Sequence, residues 1–73
     1  LRVYVQPVGL LKGHFEATVV ELKSNSTIQD LIHAFDLPKE LRAIGLVDRK
    51  RQMEDYNLKD GDVVTLVCLT LGG

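Results

Sequence analysis

The sequence predicts an α+β fold, a mixed sheet of four to five short strands with one α-helix packed across it, and three features carry that reading. A strand-like alternation opens the chain, one apolar stripe at helical spacing follows, and a nearly unbroken apolar run from Val63 to Leu71 comes last. With 73 residues, 45% of them hydrophobic, the chain has room for one core and is expected to form a single domain over residues 1–73. Residues 71–73 are expected to be a flexible tail.

Arg2 to Gln6 alternate, which places Leu1, Val3 and Val5 on one face of a first strand. Pro7 and Gly9 are expected to end it. Gly9 to Gly13 reads as a turn with Leu10 and Leu11 at its tip, and His14 to Leu22, rich in β-branched residues, reads as the returning strand of a hairpin. Ser26 with Gln29, or Thr27 with Asp30, fits a capping box at a helix start. Ile28, Leu31, Ile32 and Phe35 then form one apolar stripe, with Gln29, Asp30, His33 and Asp36 facing away. Pro38 is expected to stop this helix, because it drives the preceding residue out of α geometry.

Ala43 to Val47 reads as a short strand and Asp48 to Arg51 as a charged turn. Met53 and Leu58 are expected to anchor the irregular stretch that follows, and Asp60-Gly61 forms a tight turn. Val63 to Leu71 holds only Thr65 and Thr70 as polar residues. It is too apolar for an edge strand, so it belongs in the centre beside the first strand. The order ββαβ(β)β with one covering helix is the β-grasp arrangement.

Composition narrows the function. Nine Lys and Arg against ten Asp and Glu leave a net charge of -1, which supplies no field for nucleic acid or an anionic membrane. Cys68 is the sole cysteine and cannot form an internal disulfide, no apolar stretch reaches the length of a membrane span, and no leader pattern is present. A reducing cytoplasm is the expected compartment. A start at Leu1 leaves an upstream segment open. His14 and His33 have no partners at metal spacing, and Glu54 and Asp55 do not make a catalytic pair, so neither a metal site nor a catalytic residue is expected. A core this small also argues against an enclosed substrate pocket of roughly 300 Å³ or more.

The last residues are Leu71-Gly72-Gly73. Two adjacent glycines at that place arise by chance roughly once in 200 chains. Lacking side chains and a preferred sign of φ, they can thread a narrow channel as a slim strand and present the Gly73 carboxylate at its end.

Over its whole length the chain resembles the ubiquitin-like superfamily. Asp55-Tyr56-Asn57-Leu58 is similar to ubiquitin's segment before its last strand, Ser26-Thr27-Ile28 to its helix entry, and Gly72-Gly73 to its terminus. Leu58-Lys59-Asp60-Gly61-Asp62-Val63-Val64 more closely resembles the prokaryotic sulfur carriers, the small subunit of molybdopterin synthase and the thiamin-biosynthesis carrier. Where those carriers turn through Asn-Gly, this chain has Asp48-Arg49-Lys50-Arg51, and it lacks ubiquitin's arginines before the terminal glycines.

The resemblance implies a substrate or carrier protein rather than an enzyme. An adenylating enzyme, similar to those that activate ubiquitin, would use its own ATP and Mg²⁺ to convert the Gly73 carboxylate into an acyl-adenylate, with Gly72 as the slender approach; the chain itself would bind no cofactor. Sulfur delivered from sulfide or a persulfide would then give a C-terminal thiocarboxylate for sulfuration of a cofactor, tRNA or metabolite. Alternatively an enzyme thiol would take the carbonyl and pass it to lysines of target proteins. A third reading is a β-grasp interaction module whose tail is idle.

The recruiting surface follows from strand parity. With Val64, Leu66 and Cys68 directed to the core, Val63, Thr65, Val67 and Leu69 line the face that a single helix cannot cover. Val67, Leu69 and Leu71, with Leu10 or Leu11 from the adjoining turn and Ile44 or Leu46 from the neighbouring strand, are the candidate partner-binding residues.

Overall fold

The computed structural model describes residues 1–38 and 40–69. In chain order these form β1 (Arg2–Val8), a 3-10 segment (Gly9–Gly13), β2 (Thr18–Glu21), α1 (Ile28–Ala34), β3 (Arg42–Val47), β4 (Lys50–Gln52) and β5 (Val63–Leu69). The strands make one mixed sheet in the order β2-β1-β5-β3-β4. Among the described residues the β1–β5 pair is parallel and the other pairs are antiparallel. The predicted α+β β-grasp architecture is therefore the one the chain adopts, with β5 at the centre as its apolar run demands.

The alternation in β1 holds: Val3 and Val5 are buried while Arg2 and Tyr4 are exposed. Pro7, however, does not end the strand. β1 continues to Val8, pairing Pro7 with Leu66 and Val8 with Val67. The Tyr4 amide donates to the Asp62 carbonyl at 2.9 Å, so even-numbered β1 amides point to β5 and the missing Pro7 N–H falls on the other side. There β2 has already stopped, its pairing confined to Val5↔Thr18 through Arg2↔Glu21. Proline is harmless at such an open position.

The second strand is shorter than the His14 to Leu22 expectation. Phe15 leaves the strand path and stacks on Phe35, ring centroids 4.2 Å apart, and both rings pack against the core.

At α1 the capping box is the Thr27/Asp30 register. The Asp30 amide donates to Thr27 Oγ1 at 3.2 Å and the Thr27 amide donates to Asp30 Oδ2 at 2.9 Å. Ser26 instead closes the preceding turn, its hydroxyl donating to the Lys23 carbonyl at 2.7 Å. These bonds from the Thr27 backbone and then its side chain hold the Asp30 carboxyl below its ordinary value of 3.8. A depressed carboxyl contributes stability above its unfolded pKa and loses it as pH falls through the folded one. Thr27→Ala is therefore expected to cost about 1 kcal/mol near neutrality. In urea titrations across pH, the difference from the parent should shrink below about pH 4. The helix ends at Ala34, with Phe35 as its C-cap and the reversal at Asp36, where φ is 50°. Pro38 lies beyond this stop and does not cause it.

The charged turn between β3 and β4 is two residues long. Val47 pairs with Lys50, and Asp48 and Arg49 both have positive φ, 53° and 68°. This is the geometry for which a twisted hairpin favours Asn-Gly or Asp-Gly. Lys50 and Arg51, expected in the turn, belong to β4. Arg49 carries a Cβ in the left-handed region, so Arg49→Gly is expected to raise stability by roughly 0.5–1 kcal/mol, read as a higher urea midpoint at unchanged slope.

Leu58 is buried as anticipated, while Met53 is 69% exposed and anchors nothing. The core comprises Val3, Val5, Leu11, Ile28, Leu31, Val47, Leu58, Val64 and Leu66. α1 lies close enough to the sheet that a Cβ on Gly45 would sit 3.0 Å from Ile28 Cγ2. Glycine here permits the close approach of helix and sheet.

Candidate functional site

The inner side chains of the sheet are committed to α1, so the opposite face is where a partner can bind. Strand register orders that face into rows. Val19, Tyr4 and Val63 form one row across β2, β1 and β5. Gln6, Thr65, Leu46 and Arg51 form the next, in which the Gln6 amide nitrogen donates to Thr65 Oγ1 at 2.9 Å. Val8, Val67 and Ile44 form a third, apolar row, and Leu69 opposite Arg42 completes the face. A satisfied polar rung thus divides two apolar patches, and the patch of Val8, Val67, Ile44 and Leu69 is the one that leads to the end of β5.

Of the anticipated binding residues, Val67 and Leu69 lie on this face, with Leu69 41% exposed. Leu71, Gly72 and Gly73 lie outside the described residues. Leu10 is exposed, but Leu11 is fully buried and unavailable to a partner. The reason is the 3-10 turn: successive residues diverge by a third of a turn, so one leucine enters the core while its neighbour faces water. The choice between Ile44 and Leu46 also dissolves, since residues two apart in a strand share a face and both point outward beside Val67 and Thr65. Tyr4, Val8 and Val19, absent from the candidate set, belong to the same surface. Tyr4 was legible, because it sits between the inward residues Val3 and Val5.

The groups whose protonation is displaced serve the fold. Besides Asp30, Tyr56 has its hydroxyl pKa raised, first by burial and then by the Asp62 and Asp48 carboxylates. Both act at turns and caps. Cys68, half-buried, packs against the core beside Leu66. Among the described residues no three His, Cys, Asp or Glu side chains are placed to hold a metal, and no helix is long and apolar enough to cross a membrane. Two open grooves lie between α1 and the β3 edge.

No protein-family model matches the chain, and no curated protein matches its sequence. Solved structures do match in three dimensions. SAMP1 from Haloferax volcanii superposes with a TM-score of 0.75 at 13% identity, covering 99% of each chain. A putative molybdopterin converting factor subunit 1 from Pyrococcus furiosus gives 0.74 at 19% identity, covering 93% of this chain and 97% of that one. A ubiquitin from Caldiarchaeum subterraneum gives 0.67 at 18% identity, covering 100% of this chain and 98% of its own. At these identities the likeness is one of fold. With strand order, helix placement and neighbours in agreement, the chain has the ubiquitin-like β-grasp fold, close to that of molybdopterin converting factor subunit 1.

Proposed function

We propose that this protein is a sulfur carrier, activated at Gly73 by a separate adenylating enzyme. One observation carries the reading: the central strand β5 presents the apolar patch of Val67 and Leu69, with Ile44 and Val8 alongside, and runs directly toward Leu71-Gly72-Gly73. A partner docked on that patch receives the tail at its own active site. Its ATP and Mg²⁺ convert the Gly73 carboxylate to an acyl-adenylate and release pyrophosphate. A persulfide sulfur then displaces AMP, and a second thiol cleaves the resulting S–S bond, leaving a thiocarboxylate on Gly73 and a disulfide on the sulfur donor. All acid, base and metal chemistry belongs to the partner. A structural neighbour described as subunit 1 of a molybdopterin-converting factor, in complex with subunit 2, supports a carrier that hands its cargo to a second protein.

The test is intact mass of the protein after incubation with its activating enzyme, ATP and a sulfur donor. Exchange of one oxygen for sulfur at the terminus is expected; an unchanged carboxylate accompanied by high-mass adducts rejects sulfur carriage. Those adducts would support the second reading, a modifier joined through Gly73 to target lysines. That reading is favoured by the structural neighbour described as small archaeal modifier protein 1. A Gly-Gly remnant on lysines after proteolysis is its signature.

A further inference from the structure

A second recognition element lies at the sheet edge beside the outer apolar patch. β5 flanks β3 from Arg42 to Val47, but β4 covers only Gly45 to Val47 on the other side. The two-residue turn makes Val47 and Lys50 a hydrogen-bonded pair, and antiparallel alternation then directs the Gly45 and Ala43 amides and carbonyls to the β4 side. At Ala43 no strand remains to receive them. Neither its N–H nor its C=O has a backbone partner among the described residues.

In front of this edge runs a groove of about 580 Å³ with an adjoining lobe of about 390 Å³. The two lobes share Gln29, Ile32, Ala43, Ile44, Arg51 and Glu54. A donor and an acceptor at strand spacing, beside a groove open along its length, match the backbone of an extended peptide. Side chains of such a peptide would alternate. The residue opposite Ala43 would point inward over half-buried Ile32 and Leu41, an apolar position. Its two neighbours would point to the outer face, where Arg42 and Arg51 project. Both arginines are exposed and neither is ion-paired among the described residues, where the ion pair present is Arg2–Glu21.

The geometry points to a docking site at the open β3 edge for an extended segment of a partner protein, apolar at its inward position and acidic at the outward ones. The segment adds a strand at Ala43. This site adjoins the Val67 patch, with Ile44 and Leu69 common to both, but it needs neither the terminal glycines nor their activation, so its test reads Ala43 and not Gly73.

The probe is a short end-blocked peptide of alternating Asp and Val, titrated into the full ¹⁵N-labelled chain. Its counterparts carry Lys in place of Asp, or an N-methyl group on the central Val. Binding of the Asp peptide is expected to slow amide exchange at Ala43 about tenfold or more. The Lys and N-methyl peptides are expected to bind about tenfold more weakly. The double variant Arg42→Glu, Arg51→Glu, at two exposed positions that leave the core intact, is expected to reverse the preference between Asp and Lys peptides. Equal binding of the two charged peptides, changes centred on Val8 and Val67, or no change at Ala43 at saturation would each overturn the proposal. So would Ala43 protection that rises with protein concentration in the absence of peptide, which assigns the edge to a second copy of the chain.

Discussion

On the proposal that Gly73 is activated by a separate enzyme, deleting Gly72 and Gly73 is expected to abolish adenylation of the terminus while the amide spectrum of the folded domain stays unchanged. Among the described residues the buried core ends at Leu66, with Cys68 packed at its margin, and the deletion takes away two residues that have no side chain to pack. What changes is reach. Two residues extend about 7 Å, and a misplacement of about 1 Å at a reacting group already costs on the order of a hundredfold. The shortened chain also ends on Leu71, whose side chain would obstruct a channel narrow enough to select glycine. ATP–pyrophosphate exchange with the activating enzyme measures the loss, and the amide spectrum of residues 1–69 checks the fold. Gly73→Ala keeps the carboxylate at its original reach and adds one methyl group, so an intermediate rate is expected. Full exchange by the truncated chain would show the tail to be idle and leave only the interaction-module reading.

Most of the fold was legible in the sequence because its central elements each have a single dominant requirement. β5 must be buried on one side and crossed by β1 and β3, so its apolar run and its parity give both place and facing. The α1 stripe has one solution at helical period. Errors arose where a residue's meaning depends on its surroundings. Pro7 looked like a terminator because the early end of β2, which makes its missing N–H harmless, is a property of pairing. Leu10 and Leu11 looked equivalent because a 3-10 turn separates neighbours by rotation rather than hydropathy. Met53 is apolar yet exposed, because hydropathy alone does not say which way an irregular segment turns its side chains. The docking face followed from parity alone, but its polar rung, Gln6 to Thr65, required the parallel register of β1 and β5. The groove at Ala43 was invisible, since it depends on where β4 stops.

The strongest test of that parity uses two adjacent residues. Leu66 is fully buried, and its neighbours across the sheet are Pro7 and Gly45. Gly45 has no side chain to move into a space left beside it, so Leu66→Ala should leave a cavity that does not collapse. The expected cost lies in the upper part of the roughly 2–5 kcal/mol range for such truncations. A 73-residue domain has about 4–11 kcal/mol in total, so this variant should approach its unfolding threshold, with the urea midpoint lowered by a third or more. Val67→Asp, one residue on, faces out beside Ile44 and Val8. Its charge reaches water, and the cost should stay near 1 kcal/mol, the span of strand preference. The same carboxylate desolvated under a docked enzyme has no partner, so pyrophosphate exchange should fall about tenfold or more. If Val67→Asp destabilised the domain as much as Leu66→Ala, the outer face would have to be covered in the folded protein. If both left stability intact, the assignment of Leu66 to the core would be wrong and the register of β5 with it.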